Sequence, residues 1–250
     1  MSLESSVLSS EEFKTWGKSV VLLAHVTTRI KGRKDEDLLQ KKGGRGFPHL
    51  VALDAEGNVT AKLSGSRDVA GFKTMMDSGA KYTATAAKAE KSVDDKVFLF
   101  GHDIEMGNLK FEAAKARAAE IGKVTDEQQK KIDAGLLGLE IKGAMPKGRG
   151  NTAGELAAGK KFAEMYAAGR EPTTDQLIQP FFILMMKHAE AEKNADLFGK
   201  ALAKLRASFG DNPRAKGFFA TQDKRLEALK AAGETKEEEG ADEGDDDGGM

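Results

Sequence analysis

The sequence predicts an α+β amino-terminal unit, followed by an all-α helical domain and a disordered acidic tail. Three observations carry this. Short apolar and β-branched runs bounded by turn residues fall before about residue 80. From Lys81 onward apolar residues recur at three- and four-residue spacing, the period of a helix with one buried face. Residues 234–250, "ETKEEEGADEGDDDGGM", hold nine Asp/Glu against one Lys. A like-charged, glycine-punctuated stretch buries too little apolar surface to offset the entropy of ordering it.

Composition sets the outer limits. A chain of 250 residues is long enough for one large or two modest domains. The longest apolar runs, "VVLLAHV" from Val20 and "PFFILMM" from Pro180, are too short to cross a bilayer as helices. Cysteine is absent, which excludes disulfides, thiolate metal sites, Fe–S clusters and cysteine nucleophiles. The net charge of −1 conceals a segregation: the tail carries −8 and the remaining 233 residues carry +7.

The elements follow in order. Ser9-Ser10-Glu11-Glu12 has capping-box spacing ahead of Phe13 and Trp16, predicting a helix from about Ser10 to Lys18. "SVVLLAHVTT" is a dense β-branched run that suits a strand over Ser19–Thr27, buried on both faces. "DEDLLQKKGG" reads as a short helix closed by glycine. "HLVALDAEGNVTAKLSG" places apolar residues on both sides of the turn-forming Asp54–Asn58, a hairpin of two strands. "SRDVAGFKTMMDSG" is a helix with Val69, Phe72, Met75 and Met76 on one face.

Beyond it, Val93, Val97, Phe100 and Ile104 keep helical spacing, and "FEAAKARAAEIG" forms a short helix. Thr125-x-x-Gln128 caps another, running to about Ile141. The glycine-rich stretch 143–154, with Pro146, reads as a linker. Four helices are expected after it: Glu155 to Ala168, Thr174 to Glu192, Asp196 to Phe209, and Pro213 to Ala232. Thr173-x-x-Gln176 supplies a cap for the second, and Pro180 sits early enough in it to kink rather than abolish it. Antiparallel helical pairs, loosely like those of tetratricopeptide repeats, fit this pattern, although no fixed period is present. The domain reading is therefore 1–80, a helical segment 81–142, the linker 143–154, a helical domain 155–232 and the tail 233–250.

"GRGFPHLVALDAEGN" carries a family signature. Gly-Phe-Pro, an apolar strand, Asp, Gly and a second strand resemble the thioredoxin superfamily, and residues 3–80 resemble the second half of its disulfide-transfer domains. The resemblance implies a cis peptide bond before Pro48, and a peptide-binding edge formed by Gly46, Phe47, Pro48 and His49; the plainer reading of the same residues is a turn that shapes the sheet. It also implies that the Cys-x-x-Cys segment and the central strand would lie just before "LESSVLSSEEF", where this sequence starts. Two explanations are open. Either the strands Ser19–Thr27 and the one beginning at Pro48 pair directly, or the chain is a fragment of a longer one.

Other candidate sites have simpler readings. His25, His49, His102 and His188 lie at no zinc-ligand spacing, and no metal or cofactor is expected. "GAMPKGRGNTAGE" places Gly143 and Gly148 at Walker-like spacing, but Arg149-Gly150 replaces the Lys-Ser/Thr pair and a helix precedes it. Phe181, Phe182, Leu184, Met185 and Met186 cover more than one stripe, which predicts a domain core rather than a groove for partner helices.

The leading functional expectation is a non-catalytic, thioredoxin-like module for protein or peptide partners, without nucleic acid and without membrane insertion. The alternatives are a fragment of a thiol-disulfide oxidoreductase with its cysteines upstream of Met1, and a helical scaffold protein. A cytoplasmic location is expected if Met1 is the true start, and a periplasmic or exported one if a signal segment precedes it.

Overall fold

The computed structural model describes residues 3–26, 34–44, 46–148 and 150–241. It divides into two compact units, with the division between Ile132 and Asp133.

The first unit opens with a π-helical turn, Glu4–Leu8, and helix α1, Glu11–Gly17. The Ser10 hydroxyl accepts from the Phe13 N–H at 3.1 Å, so the cap sits one residue later than the capping-box spacing of Ser9 and Glu12 suggests. Helix α2 is a single turn, Leu38–Lys41. The sheet is one antiparallel hairpin, β1 Val51–Leu53 and β2 Val59–Lys62, pairing Val51 with Lys62 and Ala52 with Ala61. Asp54 ties the turn: its carboxylate accepts from the Asn58 backbone N–H at 2.7 Å, and Gly57 takes the left-handed φ of 81°. Those bonds, the one from the Asn58 side chain foremost, hold the Asp54 carboxyl below its usual range.

Helix α3, Val69–Ala86, is capped by Asp68 and covers the hairpin. Val69, Phe72 and Met75 are buried and Met76 partly so, the face expected from the sequence. Gly79 allows the close approach: a Cβ there would sit 2.8 Å from Thr60 Oγ1. Phe13, Trp16 and Phe72 meet with ring centroids 5.5–5.6 Å apart and form the aromatic centre of this core. The helix runs six residues past the boundary at 80, because its Lys81–Ala86 turn continues without a breaker.

The strand expected over Ser19–Thr27 is not formed over its described residues, Ser19–Val26. Val21 to Val26 belong to neither helix nor sheet, and the side chains of Val21, Leu22, Leu23 and Val26 are exposed rather than buried. Thr27 lies outside the described residues. Among the described residues β1 pairs with β2 alone, so the direct pairing of this segment with the strand after Pro48 is not seen there. The physical reason is that a strand needs a partner for its backbone groups, and this segment has none among the described residues.

Helix α4, Val93–Met106, starts at a Ser92–Asp95 capping box and ends at the left-handed Gly107. Its buried face is Leu99, Phe100, His102, Asp103 and Met106, not the expected Val93, Val97, Phe100 and Ile104 stripe, of which only Phe100 is buried. Helix α5, Phe111–Ala119, follows. Helix α6, Asp126–Ala144, begins with the expected reciprocal Thr125–Gln128 cap.

The second unit holds α7, Thr152–Ala167; α8, Asp175–Ala191; α9, Ala195–Phe209; and α10, Lys216–Ala241, after a 3₁₀ turn at Pro213–Ala215. Helix α6 ends at Ala144 and α7 starts at Thr152, so the described residues between them, 145–148 and 150–151, span less than the 143–154 linker. Each helix packs on the next. Helix α8 runs through Pro180, and its start at Thr174 has no side-chain cap, contrary to the Thr173–Gln176 reading. Phe181, Phe182, Leu184, Met185 and Met186 are all buried, with Phe162, Phe198 and Leu205 among them, so this stretch is core. Phe162 stacks on Phe181 at 4.7 Å and Phe182 meets Phe181 edge-on at 5.1 Å. Helix α10 continues nine residues into the segment expected to be disordered, and residues 242–250 lie outside the described residues.

Glu140 on α6 receives both Arg170 and Lys161, the latter at 3.3 Å. Burial pushes its carboxyl up, but those two cations outweigh burial and hold it below its usual range. The pairs Lys187–Glu155, Lys204–Glu171 and Arg206–Asp223, at 2.6–2.8 Å, join side chains that remain well exposed, so each stabilises little.

Candidate functional site

The four residues Gly46, Phe47, Pro48 and His49 lie together where the chain enters β1. Three contacts hold the loop. The His49 ring places Nε2 2.9 Å from the Lys42 carbonyl oxygen, at the end of α2. Gly44 packs against that ring, where a Cβ would lie 2.9 Å from its carbons. Lys42 Nζ in turn donates to the Gly57 carbonyl of the hairpin turn. The Phe47–Pro48 peptide bond is cis.

The consequence is an asymmetric edge. The His49 side chain is used inward and offers a partner only its backbone. Phe47 points out, with 68% of its surface exposed. Leu63 N–H donates to Leu50 O at 3.0 Å, and Asp54 N–H to Asn58 O, so residues 50, 52 and 54 turn their backbone groups towards β2. By the two-residue alternation of a strand, Val51 and Leu53 turn theirs outward. Among the described residues nothing pairs with those outward groups. The site is thus a short strand edge with an exposed aromatic ring at its entrance.

A second cluster in the same unit escaped the reading of the sequence. Asp103, 5% exposed, accepts from Tyr82 Oη at 2.8 Å, from Asn108 Nδ2 at 3.1 Å and from Arg117 Nη1 at 2.5 Å. One carboxylate therefore joins α3, α4, the loop after α4, and α5. Beside it the His102 ring stacks on Tyr82 with centroids 4.4 Å apart. His102 Nε2 donates to the Thr60 carbonyl, on the side of β2 away from β1. Lys62 Nζ donates to the Met106 carbonyl, at the negative end of α4. A signal was present in the sequence: Asp103 lies in the last turn of α4, where the helix dipole disfavours an anion. That placement asks for a cation from elsewhere, but nothing local names Arg117 as the one.

This cluster is an anchor: Tyr82, Asn108 and Arg117, from three separate segments, each donate to Asp103. Burial, and then the bond to Asp103, push the Tyr82 hydroxyl up to about 12. A phenol raised above its ordinary value near 10 contributes stability that is complete below that value and is lost between roughly pH 10 and 12. The expected result is that one of the two tyrosines ionises late in an ultraviolet absorbance titration, and that Tyr82→Phe removes that late step. A late step that survives in Tyr82→Phe would refute the assignment.

Among the described residues no group of three or more His, Asp or Glu side chains gathers as a metal site requires, and no helix is long and apolar enough to cross a membrane. Comparison with protein-family models, with curated proteins and with solved structures gives no match to this chain.

Proposed function

We propose that the amino-terminal unit is a non-catalytic, thioredoxin-like interaction module that takes an extended peptide along the outer edge of β1. The exposed Phe47 ring, set beside the unpaired outward backbone of Val51 and Leu53, carries this reading. A peptide laid there gains main-chain hydrogen bonds from the strand and apolar contact from the ring, the two ingredients of strand addition. The resemblance of residues 3–80 to thioredoxin-type domains supports the same location. Without cysteine, the contact has no thiol chemistry to serve, so binding itself is the activity.

The test is an array of overlapping, unstructured synthetic peptides probed with the full chain. Apolar-rich peptides are expected to bind. Phe47→Ala should weaken them about tenfold, the loss of one well-placed aromatic contact. N-methylation of alternate peptide bonds should abolish binding on one register and spare it on the other. Phe218→Ala, which removes an exposed phenylalanine from the other unit, serves as the comparison. Binding unchanged by Phe47→Ala and by N-methylation would overturn the reading.

A further inference from the structure

We infer that the segment Val20–Val26 is a self-association surface, and that its partner is the same segment of a second copy, paired antiparallel about Leu23. Val21, Leu22, Leu23 and Val26 are 99%, 57%, 72% and 64% exposed, and the other large apolar side chains exposed among the described residues are only Phe47 and Phe218. The apolar surface is therefore concentrated in one stretch of chain. Among the described residues no hydrogen bond engages the backbone of Val21 to Val26. Natural edges are usually guarded by charge, proline or a bulge. Ser19 to Thr28 contains no charged residue, no proline and no glycine, and three of its residues are valine. It has the composition of a segment that pairs with itself.

The order of residues selects the partner. In an antiparallel pair centred on Leu23, Val20 faces Val26, Val21 faces His25, Leu22 faces Ala24, and Leu23 faces its own copy. No side chain in the pairing meets a like charge, and the one leucine pair, Leu23 with its own copy, is an apolar contact at the two-fold. Parallel in-register pairing would set Lys18 against its own copy at the entrance. The Leu22 side chain rests over Gly17, where a Cβ would lie 3.1 Å from its Cδ1. Alternation then turns Val21, Leu23 and His25 the other way, the face on which the two-fold contact of Leu23 falls. A single strand pair buries less than the ~1,000 Å² of a stable interface, so the dimer should form in the range of tens of micromolar, on the order of a weak transient contact.

Sedimentation velocity of the full chain over a concentration series provides the test. A reversible monomer–dimer equilibrium is expected. Leu23→Lys places two ammonium groups opposite one another and should raise the dissociation constant at least tenfold, while the far-ultraviolet circular dichroism stays as in the wild type, since Leu23 is 72% exposed. Because the chain has no cysteine, Leu23→Cys introduces a single thiol. Mild oxidation should cross-link it through the two-fold far faster than Lys18→Cys. A monomer at every concentration up to several hundred micromolar, roughly ten times the expected midpoint, would overturn the inference. So would a dimer indifferent to Leu23→Lys, or equal cross-linking at both positions.

Discussion

Replacing Gly159 with alanine is expected to destabilise the helical unit by about 3 kcal/mol, the cost of forcing an extra group into a close-packed contact. In an exposed helix the same substitution would stabilise by about 1 kcal/mol, because glycine is the poorer helix former. Position 159 reverses that sign. A Cβ there would strike the Leu184 carbonyl group of α8 and lie 2.8 Å from the His188 Cβ. The obstacle is backbone, so no rotamer change relieves it. Helix α7 has to move off α8, and the Phe162–Phe181 stack beneath moves with it. Gly199→Ala on α9 is the informative comparison, since its Cβ would meet Leu226 at an ordinary 3.7 Å. Urea unfolding followed by circular dichroism should show Gly159→Ala losing stability and Gly199→Ala holding or gaining it. Equal behaviour of the two would mean that α7 and α8 are not in the contact described.

Asp103→Ala is expected to cost the amino-terminal unit about 3 kcal/mol, at the low end for breaking a buried ion pair because Arg117 keeps a third of its side chain in water. The substitution strands three donors at once: the Tyr82 hydroxyl, the Asn108 amide and the Arg117 guanidinium. Asp103→Asn retains an acceptor oxygen and should lose about half as much. The single tryptophan, Trp16, lies in this unit's aromatic centre, so its fluorescence reads the unit's unfolding. A second readout separates the network from mere packing. In Asp103→Asn the Tyr82 ionisation should move down from about 12, because part of what raises it has been removed while its burial remains. In a double-mutant cycle, Asp103→Ala and Tyr82→Phe should be less than additive. A loss below about 1 kcal/mol for Asp103→Ala, with Tyr82 unmoved, would contradict the anchoring role.

The entrance to β1 could be located from the Gly-Phe-Pro motif, yet the motif could not assign roles within it. Phe47 and His49 are both polarisable rings flanking a proline, and only the packing sends one outward and ties the other to Lys42. The Asp103 cluster was invisible for a related reason. Its members lie at positions 82, 102, 103, 108 and 117, a spacing that obeys no helical or strand period, and their proximity arises from the packing of three helices. The buried face of α4 includes the polar pair His102 and Asp103, which apolar spacing does not mark, while Val93 and Val97 are only half-buried.

The helices of the second unit, the Thr125–Gln128 cap, the Asp54–Asn58 turn and the core character of "PFFILMM" were fixed by the order of residues alone. Helical and turn hydrogen bonds close within a few residues, so the information that specifies them is local. Tertiary structure alone decided that Val21–Val26 finds no strand partner among the described residues, that Asp103 is neutralised by Arg117, and that Gly159 lies against α8. Each of those outcomes depends on a partner supplied from elsewhere in the fold, for a strand edge, a buried charge or a helix crossing, and a segment's own composition states the need without naming what answers it.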